Sequence, residues 1–187
     1  VVLLGAGPAY MCFLHHRFWR KGDDMACRWS VAATNFALLA VALAAGLTIG
    51  WKAYLLIQVP VMLLAGTMGV WLFYVQHQFE GTYWERHEGW DYVRQAIEGA
   101  SFYRLPRVLQ WFSGNIGFHH VHHLSARIPN YNLQACHDAT PLLRAVPPLT
   151  LRASLRSLRF RLWDEERRRL VGFAELATLR PASGGGA

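Results

Sequence analysis

Residues 29–51 read WSVAATNFALLAVALAAGLTIGW, and residues 53–79 read AYLLIQVPVMLLAGTMGVWLFYVQHQF. Neither run contains an Asp, Glu, Lys or Arg, over 23 and 27 positions. A bilayer core about 30 Å thick needs roughly 20 apolar helical residues, so each run is long enough to cross it. The pattern predicts helices over 31–50 and 53–75, with a tight turn at Gly50-Trp51-Lys52 and Trp51 at the interface. Two helices joined this closely are expected to form an antiparallel hairpin. Pro60 is expected to kink the second, which a membrane bundle tolerates. The competing arrangement is a pair of buried helices in a soluble bundle. The expected fold class is all-α: an integral membrane protein with a two-span transmembrane hairpin and a cytoplasmic helical region rich in histidine.

Charge orients the hairpin. Arg17, Arg20, Lys21 and Arg28 precede it, and only Lys52 stands in the turn. From His77 onward there are fourteen Arg and no Lys, against ten acids. Positive charge gathers on the cytoplasmic side of membrane proteins, which places both flanks there. The net charge of +7 therefore needs no nucleic-acid partner, and none is expected. Arg also suits anionic lipid or an acidic protein surface.

At 187 residues, 53% of them hydrophobic, one domain is expected. Cys12, Cys27 and Cys136 are odd in number and lack CxxC spacing, which points to free thiols in a reducing compartment. The opening VVLLGAGPAY imitates a dinucleotide fingerprint through Gly5 and Gly7. However, Tyr10 takes the third glycine position and no βαβ alternation follows. The chain starts inside an apolar run without Met, which reads as a fragment or a trimmed N-terminus.

The expected organisation is a single partial domain. Residues 1–28 form an interfacial or membrane segment with its link, and 29–76 form the hairpin. A cytoplasmic metal-site region covers 77–146, a basic amphipathic helical region 147–180, and a disordered tail 181–187. Within it, Asp91–Gly99 and Pro106–Phe112 have helical character. Leu151, Leu155, Leu158 and Leu162 recur at helical spacing among arginines, as in a helix on a membrane surface.

Residues 117–123, GFHHVHH, hold four of the nine histidines. On a helix His119, His122 and His123 share one face, within an arc of roughly 100°. Neutral imidazoles on one face suit a metal ion, whereas clustered imidazolium ions would repel one another. Imidazole binds Zn, Cu, Fe and Ni alike, so ligand type alone does not choose the metal. His77 closes the second span and is placed to meet this cluster, with Glu80 a candidate to orient it. Asn115 and His120 are further candidates for hydrogen bonding around the ligands.

The stretch GNIGFHHVHHLSARIPNYNL, preceded by FYVQHQFEGTYW and the hairpin, resembles the C-terminal half of membrane-bound fatty acid desaturases. The similarity is greatest to the Δ12/ω6-type acyl-lipid enzymes and extends from Gly5 to Asp138. It implies O2-dependent removal of two hydrogens from neighbouring methylenes of an acyl chain. The implied cofactor is two non-haem irons held by histidine boxes, with ferredoxin or cytochrome b5 as electron donor. Carried over residue by residue, the implied ligands are His77, His119, His122 and His123, with His120 on a variable position. The family's first box, HxxxxH, and second box, HxxHH, precede the hairpin, and neither stands before it here. About half of a dinuclear site is therefore expected, inactive alone. Membrane di-iron hydroxylases and carotenoid ketolases share such boxes and are the alternatives within enzymes. A haem or other non-catalytic metal protein is the alternative outside them, disfavoured because neither span has an internal histidine.

Overall fold

The computed structural model describes residues 7, 8, 10 and 15–175. The expected tail over 181–187, and most of the opening apolar stretch, lie outside them. The chain divides into two units, 1–72 and 73–187.

In the first unit, Asp24 caps helix α1 (Met25–Ile49), its side chain accepting from the Cys27 amide at 2.7 Å. Such a cap satisfies one of the helix's unpaired first-turn donors. The helix begins six residues before the expected start and takes Arg28 into its first turn. It ends at Gly50, whose φ of 86° is a backbone state open mainly to glycine. Helix α2 (Trp51–His77) starts at the next residue. The turn is thus one residue rather than three, and Trp51 and Lys52 are helical. A Cβ on Gly46 would lie 2.5 Å from the Trp51 ring, so the indole lies directly over the Gly46 backbone.

At 1.5 Å per residue the helices reach about 37 and 40 Å, more than a bilayer core requires. Both are apolar enough to cross a membrane, and large side chains such as Phe36 and Leu47 are exposed. Among α1 side positions only Gly46 is buried. Little of either helix is buried among the described residues. Apolar surface on every side suits lipid. The hydroxyls of Thr34 and Thr48 donate to the carbonyls of Ser30 and Ala44 one turn back, at 2.8 and 2.7 Å. Helix α2 continues through Pro60.

The second unit is built of short helices: α3 (Tyr92–Glu98), α4 (Arg107–Phe112), α5 (His119–Leu124), α6 (Leu133–Ala139), α7 (Pro141–Arg144) and α8 (Leu151–Ser154). Asp91 caps α3 through the Arg94 amide, and Gly99 ends it. Phe118, Val121, Leu133 and Leu143 form the core, with Ile97, Phe102, Leu124 and Ile128 packed around them. Each such fully buried side chain contributes about 1.5–3 kcal/mol of transfer free energy. The chain is mostly helical, but four three-residue strands add to the expected all-α plan. Strand β1 (Phe102–Arg104) pairs in parallel with β2 (Pro148–Thr150), and β3 (Leu162–Asp164) pairs antiparallel with β4 (Arg169–Val171).

The helical region expected over 147–180 differs from the structure. After α8 a 3-10 segment runs from Leu155 to Arg159 and stops there. The Phe160 carbonyl accepts from the Tyr74 hydroxyl at 3.1 Å and from Gln78 Nε2 at 3.3 Å. Tyr74 also donates to the Ser157 carbonyl at 3.0 Å. These partners take carbonyls that a continuing helix would use internally. Trp163 then packs on Trp84, with ring centroids 5.6 Å apart. Asp164 Oδ1 accepts from the amides of Glu166 and Arg167, turning the chain back into β4.

Candidate metal centre

The last turn of α2, from residue 73 on, belongs to the second unit and is bonded within it. Buried Gln76 donates from Nε2 to the Ile116 carbonyl at 2.7 Å, and its own carbonyl accepts from the Ser101 amide at 3.0 Å. This places His77, the last residue of α2, against α5.

Helix α5 is positioned at both ends. After α4 the chain reverses through Gly114 and Asn115, both at positive φ, 63° and 58°. The Asn115 side chain donates from Nδ2 to the Asn130 carbonyl at 3.1 Å, bracing this turn. Gly117 then passes so close to β1 that a Cβ would collide with the Tyr103 carbonyl and the Gln110 side chain. The Tyr103 amide donates to the Gly117 carbonyl at 2.7 Å. At the far end, the Tyr92 hydroxyl donates to the carbonyls of His123 and Leu124 at 3.0 and 2.8 Å.

Three imidazoles converge. The Nε2 of His77 lies 3.1 Å from that of His123 and 3.3 Å from that of His119, and the last pair is 3.1 Å apart. His77 Nδ1 donates to the Phe73 carbonyl at 2.8 Å, so the proton sits on Nδ1 and the Nε2 lone pair faces the cluster. Burial, followed by the neighbouring imidazoles of His123, His77 and His122, holds His119 at about 3. Burial and then His77 and His122 lower His123. Neutral imidazoles are the form that binds a metal. Nitrogens at roughly 2.0–2.1 Å from one ion stand roughly 2.9–3.4 Å apart between octahedral and tetrahedral angles. The three edges fall in that range, so the donor set fits one small cation. Imidazole donors accept iron.

The other sequence candidates lie elsewhere. The His122 ring lies alongside that of His119, centroids 5.7 Å apart and planes at 21°, outside the triangle. Glu80 is exposed and pairs with Arg156 at 3.9 Å. His77 Nδ1 is met by the Phe73 carbonyl. His120 is fully buried and hydrogen-bonds through Nε2 to His137 Nδ1 at 3.0 Å. Burial, then the His137 imidazole, holds it at about 4, with the Ser101 carbonyl acting in the opposite sense. Sequence reasoning missed His137. It stands alone in CHD, and only its placement on α6, seventeen residues from His120, reveals the pair.

Residues 2–152 match the model of the family described as fatty acid desaturase. A Bacillus subtilis (strain 168) protein named "Fatty acid desaturase" is 50% identical over 167 residues, 89% of this chain and 47% of that protein. The chain spans about half the length of this relative. No solved structure matches the chain.

Proposed function

The chain belongs to the fatty acid desaturase family, and we propose that it forms the C-terminal half of a membrane enzyme that removes two hydrogens from neighbouring methylenes of an acyl-lipid chain. One observation carries this reading: three Nε2 atoms within 3.3 Å of one another, with His77 at the end of a helix long and apolar enough to cross a membrane.

His77, His119 and His123 hold one iron in this reading. His122, on the same helix face, is assigned to the second, with further ligands from outside these 187 residues. Bound iron supplies the O2-dependent oxidising chemistry that an unactivated C–H bond requires. The protein's residues do the rest. The Phe73 carbonyl fixes the His77 tautomer, and the Phe73 ring lies 4.7 Å from the imidazole. Burial keeps His119 neutral, so its imidazole would offer a lone pair to a metal without losing a proton. Apolar helices bring the acyl chain and the site to the same membrane. The Arg-rich flank faces the cytoplasm, where it steers a small acidic electron donor such as ferredoxin or cytochrome b5.

The test is iron content and substitution. Purified in detergent and supplied with Fe(II), the 187-residue chain is expected to bind iron at fewer than two per chain, and to lose it in His77→Ala, His119→Ala or His123→Ala. Iron near two per chain sinks the half-site reading, and iron retained by all three variants removes the triangle as the site. In a version extended through the first two boxes, His122→Ala is expected to abolish unsaturated product. Product at wild-type level would remove His122 from the centre.

A further inference from the structure

We infer that His137 is a positioning residue for the metal centre: through its hydrogen bond to His120 it fixes the rotation of α5 and hence where the Nε2 atoms of His119 and His123 meet. The inference rests on the metal reading above and goes beyond its ligand set.

Helix α5 has six residues, too few to hold a helix by its own hydrogen bonds. Its surroundings therefore set its rotation as well as its existence. The contacts at its two ends act on main-chain atoms. The His120–His137 hydrogen bond instead grips a side chain projecting about 100° around the axis from His119. A lever there opposes roll. A roll of about 15° moves an atom roughly 7 Å from the axis by about 2 Å, estimated from helix dimensions. Metal–ligand distances tolerate about 0.2 Å.

The setting of the pair supports a directional role. His120 is fully buried and His137 nearly so. The His137 ring lies 4.5 Å from that of Phe102 and 5.2 Å from that of Phe118, and those two phenyl rings stack on each other at 5.1 Å. An aromatic sleeve of this kind would accept two apolar side chains of similar size. Two imidazoles in their place add an angular requirement that apolar contact lacks. His137 lies outside the triangle, and its Nδ1 is engaged by His120 rather than turned toward the cluster.

The test uses the 187-residue chain in detergent, titrated with Co(II) and followed by its visible absorption, with thermal unfolding of each metal-free variant measured alongside. His137→Leu keeps the bulk and removes the hydrogen bond. It is expected to weaken Co(II) binding tenfold or more and to alter the absorption envelope. His137→Asn, which can place a polar atom where Nδ1 stood, is expected to recover most of the affinity. Leu133→Ala, on the same helix and buried in the core, is expected to lower the unfolding temperature while leaving Co(II) affinity within threefold. If Co(II) binding is lost in His123→Ala but unchanged in His137→Leu, the inference is overturned and the metal reading stands. Parallel losses of affinity and stability in His137→Leu and Leu133→Ala also overturn it, since bulk packing would then explain both. A wild-type chain that takes up no Co(II) overturns the metal reading and this inference with it.

Discussion

Gly117→Ala is the sharpest single test of how the chain enters α5. The added Cβ would overlap the Tyr103 carbonyl, a main-chain atom that cannot swing aside as a side-chain tip does. Tyr103 itself is fully buried, and its hydroxyl donates to Ser154 Oγ at 3.0 Å. Strand β1 therefore resists displacement, and relief must come from the 117 peptide. That movement stretches the Tyr103 amide to Gly117 carbonyl bond of 2.7 Å. Overpacking costs about 1–3 kcal/mol, and a weakened main-chain hydrogen bond adds about 1. The sum, roughly 2–4 kcal/mol, lowers the unfolding midpoint by about 10 °C or more for a unit of this size. His119 follows two residues later, so metal uptake is expected to fall as well. The assay is thermal unfolding by near-UV circular dichroism in detergent, with Co(II) titration of the same samples. Gly69→Ala is the control, since a Cβ there meets nothing within 4 Å. A Gly117→Ala midpoint within about 1 °C of wild type would refute the close approach on which the estimate depends.

Two further outcomes follow from the second unit. His119 and His120 sit at about 3 and about 4 in the folded chain against an ordinary 6.5, so the unfolded chain binds more protons below 6.5. Metal-free stability is therefore full above pH 6.5 and falls by about 1.4 kcal/mol per pH unit per group as pH drops from 6.5 toward 4. His120→Gln is expected to flatten that slope in denaturant titrations at pH 7, 6 and 5; equal slopes would remove His120 as a contributor. Asp164→Ala removes the acceptor of two turn amides and is expected to cost about 1 kcal/mol, read as local loss of amide-exchange protection over 162–171.

Which features were legible in the sequence depends on the range of the interactions that create them. The spans could be read because absence of charge over more than twenty residues is a local property. Helix α3 could be read because Asp91 and Gly99 announce its ends. The stretch from Leu151 misled because its leucine period is local, whereas Tyr74 and Gln78 take the Phe160 carbonyl from more than eighty residues away. At the site, helical spacing put His119, His122 and His123 on one face. Spacing carries no information on which rings reach His77, and His122 stands beside the triangle rather than in it. Spacing likewise does not show that His77 Nδ1 meets the Phe73 carbonyl in its own helix while Glu80 pairs with Arg156. His137 was silent because its meaning lies wholly in a partner on another helix.

The way the final turn of α2 is bonded also bears on the order of assembly. Tyr74, Gln76, His77 and Gln78 reach partners 25 to 86 residues later in the chain. Contacts so distant in sequence close slowly, because the intervening loop must be ordered first. During synthesis the helix end emerges well before its partners, and the later segments must collapse onto it as a template. The metal centre therefore waits for residues 119–123, and a chain truncated before residue 119 would have both spans complete and its histidine triangle unassembled.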